Sequence, residues 1–145
     1  MEEVEILIVE DSDSDLELAL RALRKANLTN KLLALRDGTQ ALDYLFAAGE
    51  YAGRDMSSNP RVVLLDLKLP KIDGIEVLRR IKDDPRTAAV PVVVLTSSNE
   101  ERDRLASYQL GANSFIVKPV AFESFARAVT DIGMYWMLLN RPAAG

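Results

Sequence analysis

A chain of 145 residues, 48% hydrophobic and 28% charged, is long enough for one hydrophobic core and too apolar to stay disordered. Eighteen basic residues against 22 acidic ones leave a net charge of -4, which argues against a nucleic-acid groove making many phosphate contacts and against a basic membrane-surface patch. There is no Cys and no His, so disulfides, thiol chemistry, Ser/His or Cys/His nucleophiles and the usual zinc ligands are excluded together, and any metal must be held by oxygen.

The N-terminus MEEVEILIVE is acidic with a very short apolar run, unlike a signal peptide or a membrane span, and points to a cytoplasmic protein. Its apolar part, 4–9, reads as a first strand, followed by a helix in which Leu16, Leu20 and Leu23 recur at helical spacing. A second strand at 32–35 precedes Asp37-Gly38, which starts a helix carrying Ala41, Leu42 and Leu45. GEYAGRDMSSNP at 49–60 is one long loop. A third strand at 62–65 leads through the turn residues Pro70 and Gly74 to a helix with Ile75, Leu78 and Ile81, which Pro85 follows. A fourth strand at 92–95 leads to a helix with Leu105 and Tyr108, opened by the capping-box pattern Ser98-x-x-Glu101 and ended by Gly111. A fifth strand occupies 115–117. Strands alternating with helices, and reading as continuous apolar runs, predict a three-layer α/β domain with a doubly wound five-stranded parallel sheet.

Ligands of such sheets bind beyond the carboxyl ends of the strands. Those ends carry Glu10 and Asp11, then Asp66, Thr96 and Lys118. Taken singly, each has an ordinary reading: an acid as helix cap, a threonine at a strand end, a solvated lysine. Taken together, converging acids suit one hard cation such as Mg²⁺, and a lysine with a hydroxyl completes an anion site. Asp66 ends the run RVVLLD, so its carboxylate is expected to be partly desolvated. Beside Glu10 and Asp11 its charge is tolerable only with a positive partner. Asp13 and Asp15 read instead as the cap and first turn of the first helix, where the helix dipole favours anions.

The acidic pair Glu10-Asp11, Asp66 in LLDLKLPKIDG, Thr96 in VVVLTSS and Lys118-Pro119 in ANSFIVKPV, in this order over almost the whole chain, resemble the receiver domain of two-component response regulators. That resemblance implies a flavodoxin-like fold with strand order 2-1-3-4-5 in a single receiver domain, 1–145. It also implies phosphoryl transfer from a histidine kinase to Asp66, making the protein a signalling phosphoacceptor rather than a conventional enzyme. Asp11, Asp66 and the Lys68 carbonyl would hold Mg²⁺, with Glu10 acting through water, while Lys118 and the Thr96 hydroxyl would bind the phosphoryl oxygens. Phe115, three residues before the lysine, corresponds to the family's switching aromatic and reads equally as core, whereas Lys68 and Ser98 would tune phosphoryl lifetime. The stretch ALDYLFAAGEYAGRD and the ending YWMLLNRP are similar to single-domain regulators that partner phytochrome-type histidine kinases.

Phe122, Phe125, Val129, Ile132, Trp136 and Leu139 form one helical stripe, and Met134, Tyr135, Met137 and Leu138 extend its apolar character around the C-terminal end. Such an end packs either within the monomer or on a second copy, forming a homodimer. Only Ala-Ala-Gly follows Pro142, leaving no room for an output domain, so output is expected through protein contacts or phosphoryl relay without nucleic acid or membrane. The competing readings are weaker. A haloacid-dehalogenase-like phosphatase would use Asp11 and Asp13 but leaves Asp66 unexplained, and a flavin or nucleotide site is disfavoured because EDSDSD would repel phosphate. An EF-hand fails on Leu16 and Ala22, where Gly and Glu are needed.

Overall fold

The apolar runs become β1 (Ile6–Val9), β2 (Leu32–Leu35), β3 (Val62–Asp66), β4 (Val92–Thr96) and β5 (Ser114–Val117), joined by α1 (Asp13–Lys25), α2 (Gly38–Leu45), α3 (Gly74–Asp83) and α4 (Glu101–Gln109). This is a computed structural model, which describes residues 4–25, 31–97 and 101–118 together with positions 121, 123, 124 and 127. The expected C-terminal apolar stripe, Ser98 and Pro119 lie outside the described residues.

All pairings are parallel and the order is β2-β1-β3-β4-β5, the flavodoxin-like order. The strand order reverses between β1 and β3, so the segments leaving those two strands flank one crevice. Two buried layers explain the continuous apolar strands. Ala19, Ala22 and Leu23 of α1 pack on Ile6, Ile8, Leu64 and Leu95. On the opposite face, Ala41 and Leu45 of α2 and Val77, Leu78 and Ile81 of α3 pack on the alternate strand residues. Each fully buried Leu or Ile contributes roughly 1.5–3 kcal/mol, so the strand ends are held by the best-packed part of the chain.

Four differences from the sequence expectations have physical causes. β3 and β4 each run one residue further than their apolar runs, because Asp66 pairs with Leu95 and Thr96 with Val117 in the ladder. Both polar residues therefore belong to the sheet, not to a loop. Leu105 and Tyr108 do not face the core: they are 52% and 43% exposed, and α4 instead buries Ser107, whose hydroxyl donates to the Asp103 carbonyl at 2.8 Å. The long loop contains a 3-10 turn, Gly49–Tyr51, and is anchored by Arg54, whose guanidinium lies 4.3 Å from the Tyr44 ring centroid and donates to the Ser58 carbonyl at 3.0 Å. Finally, Ser12 rather than Asp13 caps α1, its hydroxyl accepting the Asp15 N–H at 3.3 Å and its carbonyl the Leu16 N–H at 2.9 Å.

Candidate functional site

Three acids meet at the crevice. Glu10 follows β1, Asp11 follows Glu10, and Asp66 closes β3. One carboxylate oxygen from each lies within 4.8 Å of the other two. Glu10 and Asp66 are buried while Asp11 is exposed, so the cluster opens toward solvent on the Asp11 side. An oxygen-only donor set of this size, partly dehydrated and open on one side, fits a small hard divalent cation that keeps several waters.

Lys118 supplies the fixed positive charge. Its main-chain N–H donates to the Thr96 carbonyl at 2.8 Å, which places the side chain one step beyond β5 on the same rim. Its Nζ pairs closely with Glu10, lies 3.0 Å from Asp15 Oδ2 and 3.1 Å from Asp66 Oδ2. Burial disfavours the ammonium, but the bonds to Glu10, Asp15 and Asp66 outweigh it and raise the pKa of Lys118. The lysine is therefore charged throughout the physiological range.

Lys68 follows two residues after Asp66 in an exposed turn, and its N–H donates to Asp66 Oδ1 at 3.1 Å. With Lys118 on Oδ2, both oxygens of Asp66 are oriented. The turn is held from two sides: the Gly74 N–H donates to the Leu67 carbonyl at 2.9 Å and the Gly38 N–H to the Pro70 carbonyl at 3.3 Å. Thr96 is fully buried at the end of β4. Phe115 is half-buried, packs against the α2/α3 layer, and also lines an open hollow with Arg104 and Tyr108. The packing matches the core reading.

Asp13, needed beside Asp11 in the phosphatase alternative, turns outward with an 85% exposed side chain and pairs with Arg36. Arg36 also reaches the Glu10 carbonyl with Nη1 at 3.4 Å. Asp15 is the site residue that sequence reasoning assigned only to the helix. The signal that could have found it is its place in the first turn of α1, directly after the acidic strand end of β1.

Burial pushes the Glu10 carboxyl up to about 6 from 4.5; the Lys118 and Ser12 bonds pull it down, and the Asp66 charge adds to the rise. Without a cation, the folded chain then holds this proton more tightly than the unfolded chain. The favourable contribution is greatest below 4.5 and is lost as pH rises through about 6, by at most about 2 kcal/mol. Thermal melts in chelator across this range should show that loss in the wild type relative to Glu10→Gln. A divalent cation favours the ionised carboxyl, so Mg²⁺ affinity should increase as pH passes about 6.

A family model described as the response regulator receiver domain matches residues 6–130. The chain belongs to the response regulator receiver family. Receiver domains partner histidine kinases and bind divalent cations in an acidic pocket, and Glu10, Asp11 and Asp66 form an acidic cluster of the kind that could hold one. The chain is similar to the probable methanogenesis regulatory protein FilR2 of Methanothrix harundinacea, 46% identical over 136 residues, covering 94% of this chain and 85% of that one. The bacteriophytochrome response regulator RtBRR superposes with a TM-score of 0.86 at 48% identity, covering 99% of this chain and 86% of that one. Response regulator Rcp1 of Synechocystis is 41% identical over 140 residues, covering 96% of this receiver chain and 93% of that protein. Its Mn(2+)-bound form superposes with a TM-score of 0.76, covering 97% of this chain and 99% of that one. No helix among the described residues is long and apolar enough to cross a membrane.

Proposed function

We propose that this receiver takes a phosphoryl group from a phosphohistidine of a sensor histidine kinase onto Asp66 and signals through the resulting rearrangement. The observation that carries this reading is the double engagement of one buried carboxylate: Asp66 shares the oxygen cluster with Glu10 and Asp11 and its Oδ2 lies 3.1 Å from Lys118 Nζ. Among the other acids, Asp11 makes no such bond to the lysine and Asp13 points away; Glu10 shares the cluster, the burial and the lysine, and Asp66 is favoured over it by its place at the end of β3, where the family resemblance puts the phosphoacceptor.

The chemistry is a displacement in which an Asp66 oxygen attacks phosphorus, the P–N bond to the kinase imidazole breaks, and the imidazole leaves. Asp11, Asp66 and the Lys68 carbonyl would hold Mg²⁺, with Glu10 behind them. Bound there, the cation offsets charge gathering on the transferring group. Lys118 then pairs with a phosphoryl oxygen, and the Thr96 hydroxyl accepts a second role as donor to another. Phosphorylation adds about -1.5 to -2 charge to a rim already acidic, so these donors must rearrange around the new oxygens. Phe115 would report that rearrangement by packing, since it has no hydroxyl, while Lys68 and Ser98 would tune the lifetime. The names of the bacteriophytochrome response regulator RtBRR and the cyanobacterial phytochrome response regulator RcpA support a phytochrome-type kinase as partner, and the apolar C-terminal stripe read from the sequence would serve as a homodimer contact.

Chelation tests the metal part directly. Uptake of phosphate from acetyl phosphate should fall to background in EDTA and return when excess Mg²⁺ is added. Uptake indifferent to EDTA would remove the cation from the mechanism. Transfer from candidate kinases pre-labelled on histidine would identify the partner, the cognate one being preferred kinetically.

A further inference from the structure

Lys118 has three ammonium donors and three carboxylate partners, Glu10, Asp15 and Asp66. Two of those partners belong to the oxygen cluster suited to a cation; Asp15 does not. Once Glu10 and Asp66 are drawn toward a cation and Asp66 carries a phosphoryl group, Asp15 is the acid whose lone pairs remain available to the lysine. We propose that Asp15 is the positioning residue of Lys118, holding its ammonium over the crevice from the α1 side while the other two acids change partners. This rests on the phosphoacceptor reading of Asp66.

The hydrogen bonds at the start of α1 show why this carboxylate is free for the task. An acid at the third helical position ordinarily reaches back to the N–H of the cap residue. Here that N–H, of Ser12, donates to Glu10 Oε2 at 3.1 Å, and the Ser12 hydroxyl accepts the Asp15 N–H at 3.3 Å. Glu10 has taken over half of the capping box, so the Asp15 side chain is released toward Lys118, 103 residues away. Its neighbour Asp13, in the same turn, makes the opposite choice and pairs with Arg36. Asp15 is also only 36% exposed at its side chain, compared with 85% for Asp13, so its bond to the lysine is less screened. Without Asp15, the ammonium would lean on Glu10 and Asp66, competing with a cation for the same oxygens.

The test compares the rate constant for phosphoryl uptake from acetyl phosphate, at fixed Mg²⁺, in the wild type, Asp15→Asn, Asp15→Glu and Asp13→Asn. Asp15→Asn should be slower by roughly three- to tenfold, the effect of losing one charge-assisted, partly screened bond. Asp15→Glu should recover most of that rate. Asp13→Asn removes the same charge from the same helical turn and should stay within about twofold, since its partner is exposed Arg36. In a Lys118→Met background, Asp15→Asn should cause no further loss. Metal-free protein gives a second readout: the side-chain ammonium signal of Lys118, followed by ¹⁵N NMR, should exchange with solvent faster in Asp15→Asn. A wild-type rate in Asp15→Asn, an equal loss in Asp13→Asn, or an undiminished loss without Lys118 would each overturn the proposal. If the wild type itself takes up no phosphoryl group, the phosphoacceptor reading fails, while the ammonium exchange still reports on the Asp15–Lys118 bond.

Discussion

Asp66→Asn should reduce phosphoryl uptake, from acetyl phosphate or a labelled kinase, to background. The substitution is nearly isosteric, so the β3 ladder and the Lys68 N–H contact to the side chain are retained in outline. What disappears is the anionic nucleophile and one full charge in the oxygen cluster. Two unit charges about 4 Å apart interact by about 4 kcal/mol at an effective dielectric of roughly 20, so Mg²⁺ affinity should also fall by at least about tenfold. The metal-free fold should not suffer in proportion. Asp66 raises the Glu10 pKa, and removing it relieves that repulsion while Glu10 and Asp15 continue to hold Lys118. The signature is therefore loss of labelling and metal affinity together with a near-normal melting temperature. Retained full-stoichiometry labelling would sink the assignment. Label mapped by mass spectrometry to Asp11 would instead favour the phosphatase-like alternative.

Much of this site was legible in the sequence because parallel sheets expose their ligands at strand ends, and the chain writes those ends plainly. Glu10, Asp66, Thr96 and Lys118 each follow or finish an apolar β-branched run, and the structure brings all four to one rim. The fold was legible for the same reason, since alternating β and α segments restrict the connections to right-handed crossovers. Less legible was anything decided by which way a side chain turns. Ser12 and Asp13 are both good helix caps by composition, and the choice between them depends on Glu10 claiming the Ser12 N–H. Asp15 could serve the helix dipole or the lysine, and only the position of β5 relative to α1 brings Lys118 within 3.0 Å. Leu105 and Tyr108 have core spacing yet face outward, because the short α4 turns Ser107 inward instead. The loop of 49–60 looked irregular because its anchor, Arg54 stacked on Tyr44, is a contact that hydropathy does not register.

Gly74→Ala should be a damaging substitution near the site, although it alters no charge or hydrogen-bonding group. A Cβ at Gly74 would lie 2.2 Å from the Asp66 carbonyl oxygen and 2.6 Å from the Leu67 Cα, both backbone atoms with no side chain to swing aside. β3 cannot yield easily, being paired to β1 on one side and β4 on the other with all its residues buried. The start of α3 must move instead, and Val77, Leu78 and Ile81 couple that shift to the core. Overpacking of this kind costs about 1–3 kcal/mol, occasionally more, against a gain of at most about 1 kcal/mol from replacing a helical glycine by alanine. A net loss of about 2 kcal/mol should lower the melting temperature by roughly 4–8 °C in a domain of this size. The displaced turn also carries Lys68, and the clash falls on the Asp66 backbone itself. Because catalytic geometry is sensitive to shifts near 1 Å, uptake from acetyl phosphate should slow by more than about tenfold. Gly53→Ala is the matched control, since nothing lies within 4 Å of its added carbon. Its melting temperature and uptake rate should match the wild type, and a Gly74→Ala protein indistinguishable from it would show that α3 is not seated against Asp66 as described.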